Sequence, residues 1–355
     1  GYALYFRSLF RYFTTSLPQG PMDSKALVTS QDQRFSIQDV VLPDPGPRQI
    51  VVRTLYSGVS IGTEFAVVKG KLDWGTFPLI TGQQGVGIVD QIGSEVTEFA
   101  IDDRVYHRAN RVISSRDGKL ITGASGVHCA HVVTDIDGTH AAAHLPEGVD
   151  EEAASMFAMP SVGLNGVDTA NPRMGNVVVV YGVGLVGLGV VAACSHRGCI
   201  VIAADIEGDR LEIARRLGAD YAINLEKEDI AEQLKQIAPE GADVVFEASG
   251  RPDCIDPAIG LCRREGKFVL QGNYGAKPIT YNFLPPHGKR LTMFYPCDDG
   301  MEMCRRAVLK NMATGVLPWH YTITHRCSFE DSHQLFDAIN RGRAATVLGA
   351  VIRWM

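Results

Sequence analysis

The rhythm of apolar and polar positions changes once along the 355 residues, near Pro146. Before it, short strand-like runs recur at 26–28, 35–37, 50–55, 85–93 and 104–106, with Pro43, Pro45, Gly46 and Pro47 punctuating one interval. Such runs, closed by glycine or proline, predict a β-rich, partly barrel-like unit. After Pro146 the spacing at 151–159 turns helical. A β-branched run at 177–181 then opens an alternation of strand and helix patterns at 199–204, 211–217, 229–237, 243–247, 254–262 and 267–270. That alternation predicts βαβ units and a doubly wound parallel sheet. A strand at 291–295, helices at 301–312 and 329–340, and a last strand at 348–352 complete the pattern.

The transition at residue 181 carries the most specific chemistry. The run Val177-Val178-Val179-Val180-Tyr181 leads into Gly182-Val183-Gly184-Leu185-Val186-Gly187, followed by an apolar helical pattern. In Gly-x-Gly-x-x-Gly the first glycine permits the tight turn. The second lets the backbone approach a pyrophosphate, and the third lets the helix pack on the sheet. The N–H groups at that helix start, Leu185 and Val186 among them, then face the phosphates. Asp205 ends the next strand, about 20 residues on, where a carboxylate accepts from ribose hydroxyls and repels a 2′-phosphate. The chain is expected to bind a dinucleotide, NAD(H) rather than NADP(H).

Composition narrows the alternatives. The net charge is −6 without a basic run, which excludes an electrostatic case for nucleic acid or anionic lipid. Apolar stretches stop well short of a membrane span. Eight scattered cysteines with no Cys-x-x-Cys suggest a reduced, cytoplasmic protein. Residues 1–21 stand apart: basic, hydroxyl-rich and free of acids. They read as a transit-like segment, which would direct the chain to a mitochondrion or plastid, or as a cloning remnant or upstream-extended frame before Met22.

Several local motifs together resemble the medium-chain dehydrogenase/reductase superfamily. These are Ser57-Gly58-Val59-Ser60-Ile61-Gly62-Thr63-Glu64, Thr81-Gly82-Gln83-Gln84-Gly85, Asp103-Arg104-Val105, Leu145-Pro146-Glu147-Gly148-Val149 and Phe246-Glu247-Ala248-Ser249-Gly250. The resemblance implies an α/β protein in which a GroES-like β-rich catalytic domain precedes a Rossmann cofactor domain. Its boundaries would be a catalytic domain at 22–160, a cofactor domain at 161–297 and a return segment at 298–355. It also implies cofactor contacts from Arg210, Ala248, Ser249, Gly250, Gln271, Gly272 and Asn273, and a homodimer or homotetramer. The phrase Tyr-Ser-Gly-Val-Ser-Ile-Gly-Thr-Glu further resembles the branch that includes bacteriochlorophyllide dehydrogenases.

The departures concern metal. The resemblance places the zinc enzymes' three ligands at Ile61, Gln83 and near Ala158, and a neighbouring glutamate at Gln84. Isoleucine and alanine cannot ligate, and amides are poor zinc ligands. The four-cysteine structural lobe is missing as well, so no metal is expected. His128 and His131 would lie on opposite faces of a strand and do not chelate together.

Without a Lewis acid the protein must place one proton itself. By the same resemblance Thr63 is the hydroxyl nearest the family's relay position, with Glu64 or His107 behind it, and Gln83, Gln84 and Tyr106 are available donors. The leading expectation is a zinc-independent NAD(H)-dependent oxidoreductase of an alcohol/carbonyl pair, the alcohol a polyol, sugar-like or larger secondary alcohol. A quinone or enone reductase and an NADH-binding sensor without turnover remain alternatives.

Overall fold

The computed structural model describes residues 21–355 except 111, 297 and 345; the transit-like reading of 1–21 falls, but for residue 21, outside the described residues. In the first lobe Met22–Thr29 pairs antiparallel with Phe35–Leu42 along its full length. With Val112–Ser115, Leu120–Gly123 and Leu79–Ile80 these two strands close a barrel. A second sheet is centred on Gln49–Val59, which pairs with Gly85–Ile92, His131–Asp135 and the last strand of the chain, Gly349–Arg353. The C-terminus therefore returns to the N-terminal lobe.

The second lobe is a six-stranded parallel sheet. Its spatial order is Tyr221–Asn224, Ile200–Asp205, Val177–Tyr181, Ala242–Glu247, Cys262–Leu270, Thr292–Phe294. Strand order reverses between Val177–Tyr181 and Ala242–Glu247, which makes the carboxyl ends of those two strands the expected ligand crevice. The four consecutive valines suit a strand covered on both faces: Val178 and Val180 join one apolar cluster and Val179 another.

One large core spans both lobes, drawing Val86, Tyr106 and Val351 from the first and Val178, Val180 and Phe246 from the second. The helix expected at 151–159 is two helices. Asp150 caps Glu151–Ala154, the chain breaks at 155–157, and a second helix runs Ala158–Ala170. Gly163 and Gly166 dilute that second pattern, and each disfavours a helix by about 1 kcal/mol against alanine. Close packing requires them: a Cβ on Gly163 would lie 2.7 Å from Gly189 of helix Leu185–His196, and one on Gly166 would collide with Gln271. The helix Ile61–Val68 begins inside the motif at 57–64 and runs past it, where the pattern predicts no helix. No helix among the described residues is long and apolar enough to cross a membrane.

Candidate active site

The glycine turn is built by contact as well as conformation. Gly182 has φ +91°, and a Cβ there would stand 2.7 Å from the Ser249 nitrogen. A Cβ on Gly187 would lie 2.1 Å from the Gly182 carbonyl oxygen, whereas Gly184 faces open space. Gly184 caps helix Leu185–His196 without any side-chain bond. The first N–H groups of that helix, Leu185 and Val186 included, therefore remain for an anion. Asp205 accepts from Val183 N at 2.7 Å and Glu207 N at 3.0 Å, which ties its carboxylate to the turn. Arg210 is half-buried with no partner among the described residues.

Two loops flank the turn. Glu247 is fully buried and accepts from Ser249 N at 2.9 Å, from the Ser249 hydroxyl and from the Tyr274 hydroxyl. Ala248 follows it, and Gly250 and Gly272 allow the loop to touch its neighbour, which includes Asn273. Gln271 turns its amide away from the crevice: Nε2 donates to Val162 O at 3.1 Å and so holds the lobe-joining helix.

Across the crevice the candidate residues separate. Thr63 is half-buried, and Gln83, 9% exposed, makes no side-chain hydrogen bond among the described residues. Glu64 and His107, nominated behind Thr63 as proton carriers, are enclosed. Glu64 accepts from Ser60 N at 2.7 Å, Thr81 Oγ1 at 2.7 Å and His128 Nε2 at 2.8 Å. These contacts make it a positioning residue for helix Ile61–Val68. His107 is fully buried with neither ring nitrogen hydrogen-bonded, and burial pushes its pKa down to about 3. With neither nitrogen bonded to a partner and the ring fully enclosed, His107 has no hydrogen-bonded path along which to pass a proton, so the carrier role does not fit this placement.

The residues at the expected zinc positions do not fit that metal. Ile61 packs into an apolar cluster, and Gln84 Oε1 accepts from Ala158 N at 2.9 Å, joining the second motif to the third position by a hydrogen bond. No cluster of three His, Cys, Asp or Glu side chains suited to a metal occurs among the described residues. His128 and His131 hold different partners, Glu64 and Ser57 for the first, Ser24 for the second.

Sequence reasoning missed a buried charge cluster that touches the backbone of Gln83. Arg108 Nη1 donates to Asp299 Oδ2 at 2.6 Å and its Nε to the Gln83 carbonyl at 3.1 Å. Arg305 Nε lies 2.8 Å from the same Asp299 oxygen but off the hydrogen-bond line. Burial lowers the Arg108 pKa, against which Asp299 acts. The pair Arg108–Asp299 spans 191 positions, and no local pattern announces it.

Two family models match the chain, the alcohol dehydrogenase GroES-like domain at 46–146 and the zinc-binding dehydrogenase at 186–311. A sorbitol dehydrogenase of Halalkalibacterium halodurans is 29% identical over 278 residues, 73% of this chain and 80% of its own. An alcohol dehydrogenase of Cupriavidus necator is 26% identical over 352 residues, 88% of this chain and 94% of its own. Among solved structures, a Sinorhizobium meliloti protein assigned as a zinc-binding dehydrogenase and bound to NADP matches with a TM-score of 0.82. It is 20% identical, and the match covers 94% of this chain and 100% of that one.

Proposed function

Because the chain belongs to the medium-chain dehydrogenase/reductase superfamily, as an alcohol-dehydrogenase-like oxidoreductase, we propose that it moves a hydride between NAD(H) and an alcohol/carbonyl pair without zinc. The observation that carries the metal-free reading is the set of side chains at the three expected ligand positions: Ile61 packs into an apolar cluster, Ala158 has only a methyl side chain and its N–H is held by Gln84, and Gln83 offers an amide. The preference for NAD(H) rests on Asp205, whose carboxylate is fixed at the turn where a 2′-phosphate would otherwise sit.

Bound NAD(H) supplies the hydride chemistry. The open face at Gly184 and the free N–H groups of Leu185 and Val186 would hold its pyrophosphate, while Asp205 and Arg210 would hold the adenosine ribose. The loops at 248–250 and 271–273 border the nicotinamide end. Thr63 and Gln83 then serve the substrate oxygen. The Gln83 amide donates a hydrogen bond to it, and the Thr63 hydroxyl passes its proton toward solvent. Proton transfer of this kind supplies about 10²–10⁴-fold in rate.

The test is NADH formation and consumption on polyols, aromatic alcohols, ketones and enones in excess chelator. Turnover of an alcohol or ketone is expected to survive, and Thr63→Ala to lower kcat by about 10²-fold. Loss of activity in chelator would overturn the metal-free reading, and a preference for NADP(H) the role given to Asp205. We further read the chain as a homo-oligomer that pairs along the sheet edge. The edge strand Thr292–Phe294 is flanked by exposed Tyr295, Phe283 and Leu284, and an uncovered apolar edge favours a second chain. Sedimentation velocity showing only a monomer at micromolar concentration would exclude it.

A further inference from the structure

Arg108, Asp299 and Arg305 meet where the lobes face each other. Arg108 follows strand Arg104–His107 of the first lobe. Asp299 lies beyond the carboxyl end of Thr292–Phe294, on the side of the sheet where ligands bind, and Arg305 stands on helix Met301–Ala313. Their exposures are 8%, 1% and 1%. Two guanidinium groups thus share one carboxylate in a poorly solvated place.

The charges do not balance. Arg305, fully enclosed, sits against Asp299 and also donates from Nη2 to the Thr139 carbonyl. Asp299 also accepts from Arg108, and one carboxylate cannot neutralise two guanidinium groups, so the buried cluster keeps one positive charge in excess. The other neighbours do not cancel it. Tyr106, beside Arg305, is a phenol that burial keeps protonated, and the adjacent His107 is neutral. Asp298 and Glu302 are exposed, where water and salt screen them. An uncompensated buried cation is costly unless an anion joins it. Arg108 Nη2 has no partner among the described residues, and Arg108 Nε is bonded to the backbone of Gln83, the residue given to the substrate oxygen.

We infer that Arg108 is the anion-binding residue of the substrate cleft, held in place by Asp299 and Arg305, so that the substrate is an alcohol or carbonyl compound bearing a carboxylate or phosphate group. The planar guanidinium fork suits either oxyanion. This inference rests on the oxidoreductase reading above, because it places the anion beside the reacting oxygen.

The experiment compares kcat/KM with NAD+ across matched sets: a neutral polyol, the hydroxy acid of the same chain length and the corresponding phosphate ester. The anionic members are expected to lead by about 10–100-fold, the range of a charged hydrogen bond. Whether the acid or the ester leads identifies which oxyanion the cleft takes. Arg108→Gln should erase that lead through KM, and Arg108→Lys should restore part of it. A second readout needs no turnover: malonate or inorganic phosphate, titrated into the NADH complex, should protect it in thermal melts and lose that effect in Arg108→Gln. Should Arg108→Gln not fold, the wild-type substrate series and the malonate and phosphate titrations still decide. Equal rates on neutral and anionic members, with no protection by either anion, would overturn the inference and leave the oxidoreductase reading intact. Anion protection without turnover of any substrate would instead overturn that reading and keep Arg108 as an anion site.

Discussion

Glu64 and His107 lie in the same lobe, both enclosed and both candidates for moving a proton, yet their surroundings are opposite. Glu64 closes a chain in which every polar atom has a partner. Trp354 Nε1, which can only donate, bonds Ser57 Oγ at 2.8 Å. That leaves the Ser57 proton for His128 Nδ1, also at 2.8 Å, and puts the imidazole proton on Nε2, facing Glu64. His107 lies against Gly85 and Val127 with neither nitrogen satisfied. Burial alone therefore says little about function: partners make Glu64 a strut, and their lack makes His107 a neutral, weakly stabilised core group. Thr63 and Gln83, whose side chains make no hydrogen bond among the described residues, are the groups we propose for the substrate.

The sharpest way to break this comparison is to remove the strut. Glu64→Leu would orphan three donors at once, Ser60 N–H, the Thr81 hydroxyl and His128 Nε2–H. Each buried unsatisfied group costs about 1–3 kcal/mol, so a loss of about 3–5 kcal/mol is expected in urea unfolding. A loss below about 1 kcal/mol would mean that the network is loose and Glu64 free to act otherwise. Trimming the far end tests whether the chain acts as one unit. Trp354→Phe removes a single neutral donor from Ser57 and should cost about 1 kcal/mol. The same cost in a Glu64→Leu background would show that the two ends are independent, because coupled members of a network are not additive.

How much of this was legible in the sequence follows from distance along the chain. The strand, glycines, helix and Asp205 of the cofactor turn occupy 29 consecutive residues, 177–205, and their physics is local. The Glu64–His128 contact joins residues 64 apart and Arg108–Asp299 residues 191 apart, so neither leaves a periodic trace. The helix Ala158–Ala170 was hidden for a related reason: Gly163 and Gly166 answer to Gly189 and Gln271, partners distant in sequence, rather than to helical propensity. His107 was visible as a residue type, but only the fold shows that it is sealed in.

The smallest effect at neutral pH, and the one that bears most directly on His107, comes from replacing it with leucine. Above its ordinary pKa of 6.5 the imidazole is neutral folded and unfolded, so His107→Leu should shift stability by no more than about 1 kcal/mol. Below 6.5 the unfolded chain takes up a proton that the folded chain refuses until about pH 3. Unfolding then binds the proton, and wild-type stability falls as the pH drops through that window, by up to about 1.4 kcal/mol per unit from this residue. The leucine variant lacks that contribution, so its stability should decline less steeply between pH 6.5 and the acid limit of the folded state. Parallel urea midpoints for the two proteins across that range would show that His107 protonates in the folded state. It would then have a route to solvent, and the proton-carrier role denied to it here would have to be restored.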